Sequence, residues 1–130
     1  MRFTTFASVL LIVSAATADF HIVYDTLYAK YRAVPSNKYD CGNLQKSGSV
    51  TSGTVGGDTF KVTGNTCGAD AIDFYKRADG HYDMYYPGGD GKVQGTCHDN
   101  SKGGGFDCGA YNGFVWEVQE KLICYSYLCK

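Results

Sequence analysis

Histidine, arginine, tyrosine and carboxylate side chains come close together in one short stretch of the sequence, residues 73–85. Alternation with apolar neighbours places five of them on one side of a predicted β-hairpin. These five candidate binding residues are Tyr75, Arg77, His81, Asp83 and Tyr85. A histidine beside a carboxylate and an arginine can transfer protons during RNA cleavage, whereas tyrosine and arginine are enriched where proteins bind one another. The solvated face of an ordinary half-buried hairpin has the same pattern.

The register of this hairpin decides which side chains share a face. A two-residue loop at Asp79-Gly80 would pair Phe74 with Tyr85 and mix apolar with polar residues. A three-residue loop, residues 78–80, pairs Phe74 with Met84 and keeps the apolar side chains together, and a slip of one residue would turn the whole strand over. We therefore predict the three-residue loop, with Gly80 in a left-handed conformation. The opposite face then carries the rungs Asp73 with Tyr85, Tyr75 with Asp83, and Arg77 with His81.

Residues 1–18 have the three parts of a secretion signal. Arg2 supplies a positive charge, residues 6–13 are apolar, and Ala16-Thr17-Ala18 is a small-residue cleavage site. The apolar run is too short to span a bilayer. We expect residues 19–130 to be a single secreted, extracellular domain that is not bound to a membrane and is monomeric.

The charges of the chain nearly balance, with 12 Lys and Arg against 13 Asp and Glu. Such a protein lacks the electrostatic footprint that attracts nucleic acid or an anionic membrane, so neither partner is expected. The sequence contains no phosphate-binding loop, no nucleophile elbow and no zinc-finger spacing. We therefore expect no cofactor and no metal ion.

Six cysteines follow the signal-like segment: Cys41, Cys67, Cys97, Cys108, Cys124 and Cys129. An even number in a small secreted domain predicts three disulfides. Six cysteines allow fifteen pairings, among which the sequence does not choose. A simple preference for near neighbours would give Cys97–Cys108, Cys124–Cys129 and Cys41–Cys67.

Runs rich in β-branched and aromatic residues alternate with glycine-rich turns along the rest of the chain. They predict strands at residues 20–27, 59–63, 71–77, 81–86, 93–97, 114–119 and 122–127. Residues 40–57 have few side chains to bury and predict a loop or a ragged edge. No stretch sustains a helical period. We predict an all-β domain, a small disulfide-stapled antiparallel sandwich or barrel, with Trp116 in its core beside Phe114 and Val118.

Several segments together resemble those of a known group of proteins. They are Ala16-Thr17-Ala18, Asp19-Phe20-His21-Ile22, Pro35-Ser36-Asn37-Lys38-Tyr39-Asp40-Cys41, Asp73-Phe74-Tyr75, Asp79-Gly80-His81-Tyr82, Gly89-Asp90-Gly91, Gly95-Thr96-Cys97 and Cys124-Tyr125-Ser126-Tyr127. The chain resembles the small secreted cysteine-rich proteins of filamentous ascomycete fungi. That group includes effectors and elicitors that plants detect, so the resemblance implies an extracellular role. It supplies no catalytic residues.

The resemblance and the hairpin face together lead us to expect a non-catalytic protein that binds a host extracellular protein or surface. Two alternatives stay open. A catalytic cleft holding His81 or His98 beside a carboxylate would favour a small ribonuclease-like hydrolase. A coplanar strip of exposed tyrosines, drawn from Tyr85, Tyr86 and Tyr111, would favour a module that binds cell-wall glycans.

Overall fold

Antiparallel β-strands make up most of the computed structural model, which describes residues 19–126 and 128–129. In this part of the chain the strands are β1 (Phe20–Asp25), β2 (Lys30–Pro35), β3 (Gly48–Gly53), β4 (Thr59–Thr66), β5 (Ala69–Lys76), β6 (Tyr82–Tyr85), β7 (Gly95–Asp99), β8 (Phe106–Tyr111) and β9 (Phe114–Ser126). Two short 3-10 helices, Ser36–Lys38 and Leu44–Lys46, lie between β2 and β3. The predicted all-β class is confirmed. The secretion-signal prediction concerns residues 1–18 and lies outside the described residues.

The sheet closes on itself, so the domain is a barrel and not a sandwich. Strands β1 to β7 pair in chain order, and β9 joins β7 to β1. One edge of β9 pairs with β1, whereas its other edge pairs first with β8, along residues 114–118, and then with β7, along residues 122–126. Val118 is the last residue of β9 that pairs with β1, whereas pairing with β8 continues as far as Phe114. Among the described residues, no helix is long and apolar enough to cross a membrane.

Aromatic side chains fill the inside of the barrel. Phe60 stacks on Phe74 with ring centroids 4.3 Å apart, and Phe20 and Tyr82 pack edge-on against these two rings. The Tyr82 hydroxyl donates a hydrogen bond to the carbonyl oxygen of Gly57 at 2.5 Å, so its polar end is satisfied. Burying a side chain of this size contributes roughly 1.5–3 kcal/mol. The closed ring consists of eight strands, β1 to β7 and β9. The interior of an eight-stranded barrel is just wide enough for side chains to fill it.

A second, smaller core lies on the outside of β1, β2 and β9. Residues 36–47, which we call the covering loop, place Leu44 against Val23, Val34 and Val118. Val34 follows the inward-facing Ala33, and successive strand residues point to opposite faces. The covering loop therefore shields this stretch of the outer surface from water.

A buried carboxylate organises the turn between β1 and β2. Asp25 is fully buried and accepts hydrogen bonds from Arg32 Nε at 2.9 Å, from Trp116 Nε1 at 2.9 Å and from the Leu27 backbone N–H at 3.1 Å. A buried charge is tolerated only with such partners. The prediction that Trp116 belongs to the core is wrong in part, because its ring is half-buried and Phe114 is 70% exposed. The indole N–H of Trp116 donates to Asp25, the last residue of β1.

The three predicted disulfides are present, but the near-neighbour pairing is wrong. The bonds are Cys41–Cys108, Cys67–Cys129 and Cys97–Cys124. The expected bonds were Cys97–Cys108, Cys124–Cys129 and Cys41–Cys67, and the first of them required β7 and β8 to form a hairpin. Instead β7 and β8 lie one after the other along the same edge of β9, so Cys97 is directly opposite Cys124. Cys41–Cys108 ties the covering loop to β8.

Most predicted strands are confirmed, and two of the three missed strands are largely exposed. The predictions at residues 20–27, 59–63, 71–77, 81–86 and 93–97 coincide with or overlap strands of the barrel. The two predicted strands at 114–119 and 122–127 are the single strand β9, with Tyr127 outside the described residues. The loop predicted at 40–57 contains β3, and β2 and β8 were not predicted. Strands β3 and β8 are largely exposed. Strand β3 also carries no apolar alternation, so only backbone pairing reveals it.

Candidate functional site

The predicted register of the β5–β6 hairpin is confirmed. Asp73 pairs with Tyr85, Phe74 with Met84 and Tyr75 with Asp83. The Arg77 backbone N–H donates to the carbonyl oxygen of His81 at 2.7 Å, which closes the three-residue loop. Gly80 has φ of 88°, and Phe74 and Met84 are fully buried. The five candidate binding residues therefore lie on the outward face.

Arg77 connects the charged residues of this face. Its guanidinium contacts Asp79 Oδ2 at 2.9 Å and Asp83 Oδ1 at 3.7 Å. The His81 backbone N–H donates to Asp79 and, with the positive charges of Arg77 and His81, lowers the pKa of that carboxyl. Exposed ion pairs of this kind add about 0–1 kcal/mol to stability. These contacts orient the side chains without being needed to hold the barrel together.

Two residues from neighbouring strands extend the face. The His98 ring on β7 lies against the His81 ring, with centroids 4.0 Å apart, and Tyr125 on β9 packs edge-on against His98 at 5.6 Å. Burial lowers the pKa of His98, and the positive charges of His81 and Arg77 lower it further. We call Tyr75, Arg77, His81, Asp83, Tyr85, His98 and Tyr125 the recognition face. Sequence reasoning missed its last two members because their place depends on the pairing of β6, β7 and β9.

A shallow depression of about 550 Å³ adjoins the recognition face. It is lined by Asp73, Tyr75, Tyr85, Tyr86, Pro87, Gly88, Gly89 and Gly91. The rings of Tyr75 and Tyr85 are 5.5 Å apart and stand at 80° to each other. These two rings do not form the coplanar strip that would most strongly favour a glycan-binding platform.

The geometry of the two histidines bears on the ribonuclease alternative. General acid–base cleavage of RNA needs a base and an acid within reach of one phosphate from different sides. The rings of His81 and His98 contact each other side by side, which leaves no space for a phosphate between them.

Within residues 19–126 and 128–129, no group of three or more His, Cys, Asp or Glu side chains is arranged to hold a metal ion.

A second exposed feature is the hairpin that joins β8 to β9. Residues 109–115, which we call the hairpin arm, are all exposed, and Tyr111, Phe114 and Val115 present their apolar side chains to solvent. Asn112 and Gly113 both have positive φ, 49° and 82°, as a type I′ turn requires. The dipeptide Asn-Gly between aromatic residues is a strong hairpin signal, and it could have located this arm from the sequence.

The chain has no match among protein-family models, curated proteins or solved structures. Its three intramolecular disulfides suggest an oxidising compartment such as the extracellular space. The recognition face and the hairpin arm are the exposed features from which a binding function can be inferred.

Proposed function

We propose that the protein is a secreted binding protein that attaches to a host extracellular protein or surface through the recognition face, and that this face performs no catalysis. The observation that carries this proposal is the grouping of the five candidate residues on one outward face. Tyr75 is 48% exposed and the Arg77 side chain is 44% exposed, so both are available to a partner. Tyrosine and arginine offer large contact areas with directional hydrogen-bond donors, and they dominate binding hot spots.

The charge of the recognition face supports a protein partner over a polyanion. Arg77 is matched by Asp79 and Asp83, so its positive charge is locally balanced. Protein interfaces tolerate such mixed charge and favour aromatic residues near their centre. The host as the source of the partner follows from the resemblance to secreted ascomycete proteins, among which plant-detected effectors are found.

The test is infiltration of the purified, oxidised protein into leaf tissue, beside the double variant Arg77→Ala with Tyr85→Ala. Truncating a hot-spot side chain costs roughly 2 kcal/mol or more, which is about 30-fold in affinity for each residue. We expect the variant to lose the leaf response at doses where the native protein acts. Its Tm should stay within a few degrees, because Phe74 and Met84 and not the outward residues hold the hairpin.

The matched control is Lys92→Ala with Tyr111→Ala, which removes one exposed cation and one exposed tyrosine outside the recognition face. This control should keep the full response. An active Arg77→Ala, Tyr85→Ala variant would refute the proposed surface. Loss of activity in the control alone would instead place the contact on the hairpin arm or the loop around Asp90.

A glycan-binding module is the second candidate, and the depression beside the face favours it. Tyrosine rings can stack on the apolar face of a sugar, and Asp73 with the three glycines could meet its hydroxyl groups. Pull-down of the native protein and of the Tyr86→Ala variant on chitin and on β-glucan would test this candidate function. Arg77 does not line the depression, so glycan binding should survive Arg77→Ala, whereas binding through the recognition face should not.

A further inference from the structure

Outside the recognition face, a serine, a histidine and a glutamate are connected in the order that acyl-transferring enzymes use. His21 on β1 contacts Glu120 on β9 through Nδ1. The other ring nitrogen, Nε2, lies 3.1 Å from the Oγ of Ser36, directly after β2. The three residues are distant in the sequence, and the pairing of β1 with both β2 and β9 brings them together.

The covering loop shields this cluster from water. The His21 side chain is 14% exposed and that of Glu120 is 6% exposed. Tyr39 stacks on the imidazole with centroids 4.3 Å apart, and burial together with the Glu120 charge raises the pKa of Tyr39 to about 12. The phenol of Tyr39 therefore stays neutral. A carboxylate in such surroundings orients an imidazole and stabilises the imidazolium that forms when it takes a proton.

Ser36 is less buried than Glu120 and, like His21, is half-buried. The Ser36 backbone N–H donates to the carbonyl oxygen of Asp19 at 2.9 Å, which holds the residue in place. Its chain neighbours Pro35, Asn37 and Lys38 line a cavity of about 500 Å³. The cavity therefore borders the chain on both sides of Ser36, although Ser36 itself does not line it. The Tyr39 hydroxyl is buried with no hydrogen-bond partner among the described residues, so the cluster has an unused donor.

We propose that Ser36, His21 and Glu120 form an acyl-transfer site for a carboxylic ester. Ser36 Oγ attacks the carbonyl carbon while His21 Nε2 takes its proton. The bond from that carbon to the alcohol oxygen then breaks, and the alcohol leaves with the proton from His21. Water attacks the acyl-Ser36 ester after giving a proton to His21, and that proton returns to Ser36 Oγ as the carboxylic acid departs. Glu120 is a positioning residue that acts through the imidazole.

The test treats the oxidised full-length secreted protein with a fluorophosphonate probe and maps the adduct by mass spectrometry. We expect one adduct, on Ser36, that is absent in Ser36→Ala. General base catalysis contributes about 10²–10⁴-fold, so His21→Gln should lower the labelling rate at least 100-fold. Ser101→Ala, at an exposed serine, is the matched control and should label like the native protein. The Arg77→Ala, Tyr85→Ala variant should also label normally, which separates this site from the recognition face.

Glu120→Gln tests the positioning role. With the circular dichroism spectrum unchanged, we expect a lower rate of Ser36 labelling, because the imidazole loses the carboxylate that orients it. Glu120→Asp keeps a carboxylate and should retain more of that rate, whereas a merely structural glutamate would leave the rate unchanged in both variants. Absence of an adduct in the native protein, an adduct spread over several serines, or equal rates in the native protein and a folded His21→Gln variant would overturn the proposal. The native protein alone supplies the first two results, so the test does not depend on whether the His21 variant folds.

Discussion

At the scale of single residues, Gly80 shows how one backbone angle sets the recognition face. Its φ of 88° lies in the left-handed region, and a Cβ built there meets nothing within 4 Å. The cost of Gly80→Ala is therefore conformational and not steric, about 1 kcal/mol. Gly104 also has open space but no positive φ, so Gly104→Ala should cost far less. Urea denaturation of both variants measures these costs, and an equal loss of unfolding free energy in Gly80→Ala and Gly104→Ala would contradict the prediction.

His98 carries a prediction about pH. Its pKa in the folded protein lies below the ordinary value of 6.5, through burial first and then through the charges of His81 and Arg77. The unfolded chain therefore binds a proton at His98 more readily than the folded protein does. The neutral His98 side chain costs no stability above pH 6.5, and the free energy of unfolding falls as the pH is lowered below that value. We expect His98→Asn to flatten the decline in free energy of unfolding below pH 6.5. An unchanged slope in that variant would contradict the burial argument.

At the scale of elements, the turn between β1 and β2 depends on Asp25. Asp25→Ala would leave the buried Arg32 guanidinium without its counter-charge and Trp116 Nε1 without its acceptor. Breaking a buried pair in this way costs about 3–5 kcal/mol. The matched control is Asp73→Ala, whose partly exposed carboxylate lies 3.5 Å from Lys61 Nζ, and which should cost no more than about 1 kcal/mol. Thermal denaturation measures the stability of both variants, and similar losses of stability in Asp25→Ala and Asp73→Ala would refute the role of Asp25.

At the scale of the whole molecule, the disulfides join distant parts of the chain. A digest of the unreduced protein should release the linked peptides Cys41–Cys108, Cys67–Cys129 and Cys97–Cys124. Alkylation without reductant should label no cysteine, because all six are bonded. Each bond stabilises by about 2–4 kcal/mol, largely through the unfolded chain. Any labelled cysteine, or a linked pair Cys97–Cys108, would contradict this arrangement.

The β5–β6 hairpin could be predicted from the sequence because its information is local. Alternation of Phe74 and Met84 with polar residues, and a glycine at position 80, are enough to select one register. The outward positions of Tyr75, Arg77 and Asp83 follow from that register alone. The sequence likewise determined the all-β class and the presence of three disulfides, since strand periodicity and cysteine number do not depend on which elements become neighbours.

The tertiary structure alone decided which distant elements meet. Closure of β1 onto β9 places Glu120 beside His21, and the return of the chain after β2 adds Ser36. The pairing of β7 with β9 places Cys97 opposite Cys124, and the pairing of β6 with β7 brings His98 to His81. Strand pairing is a free-energy competition over the whole chain, in which backbone hydrogen bonds are nearly equivalent and burial of the common core selects the winner. No local pattern in the sequence records that selection.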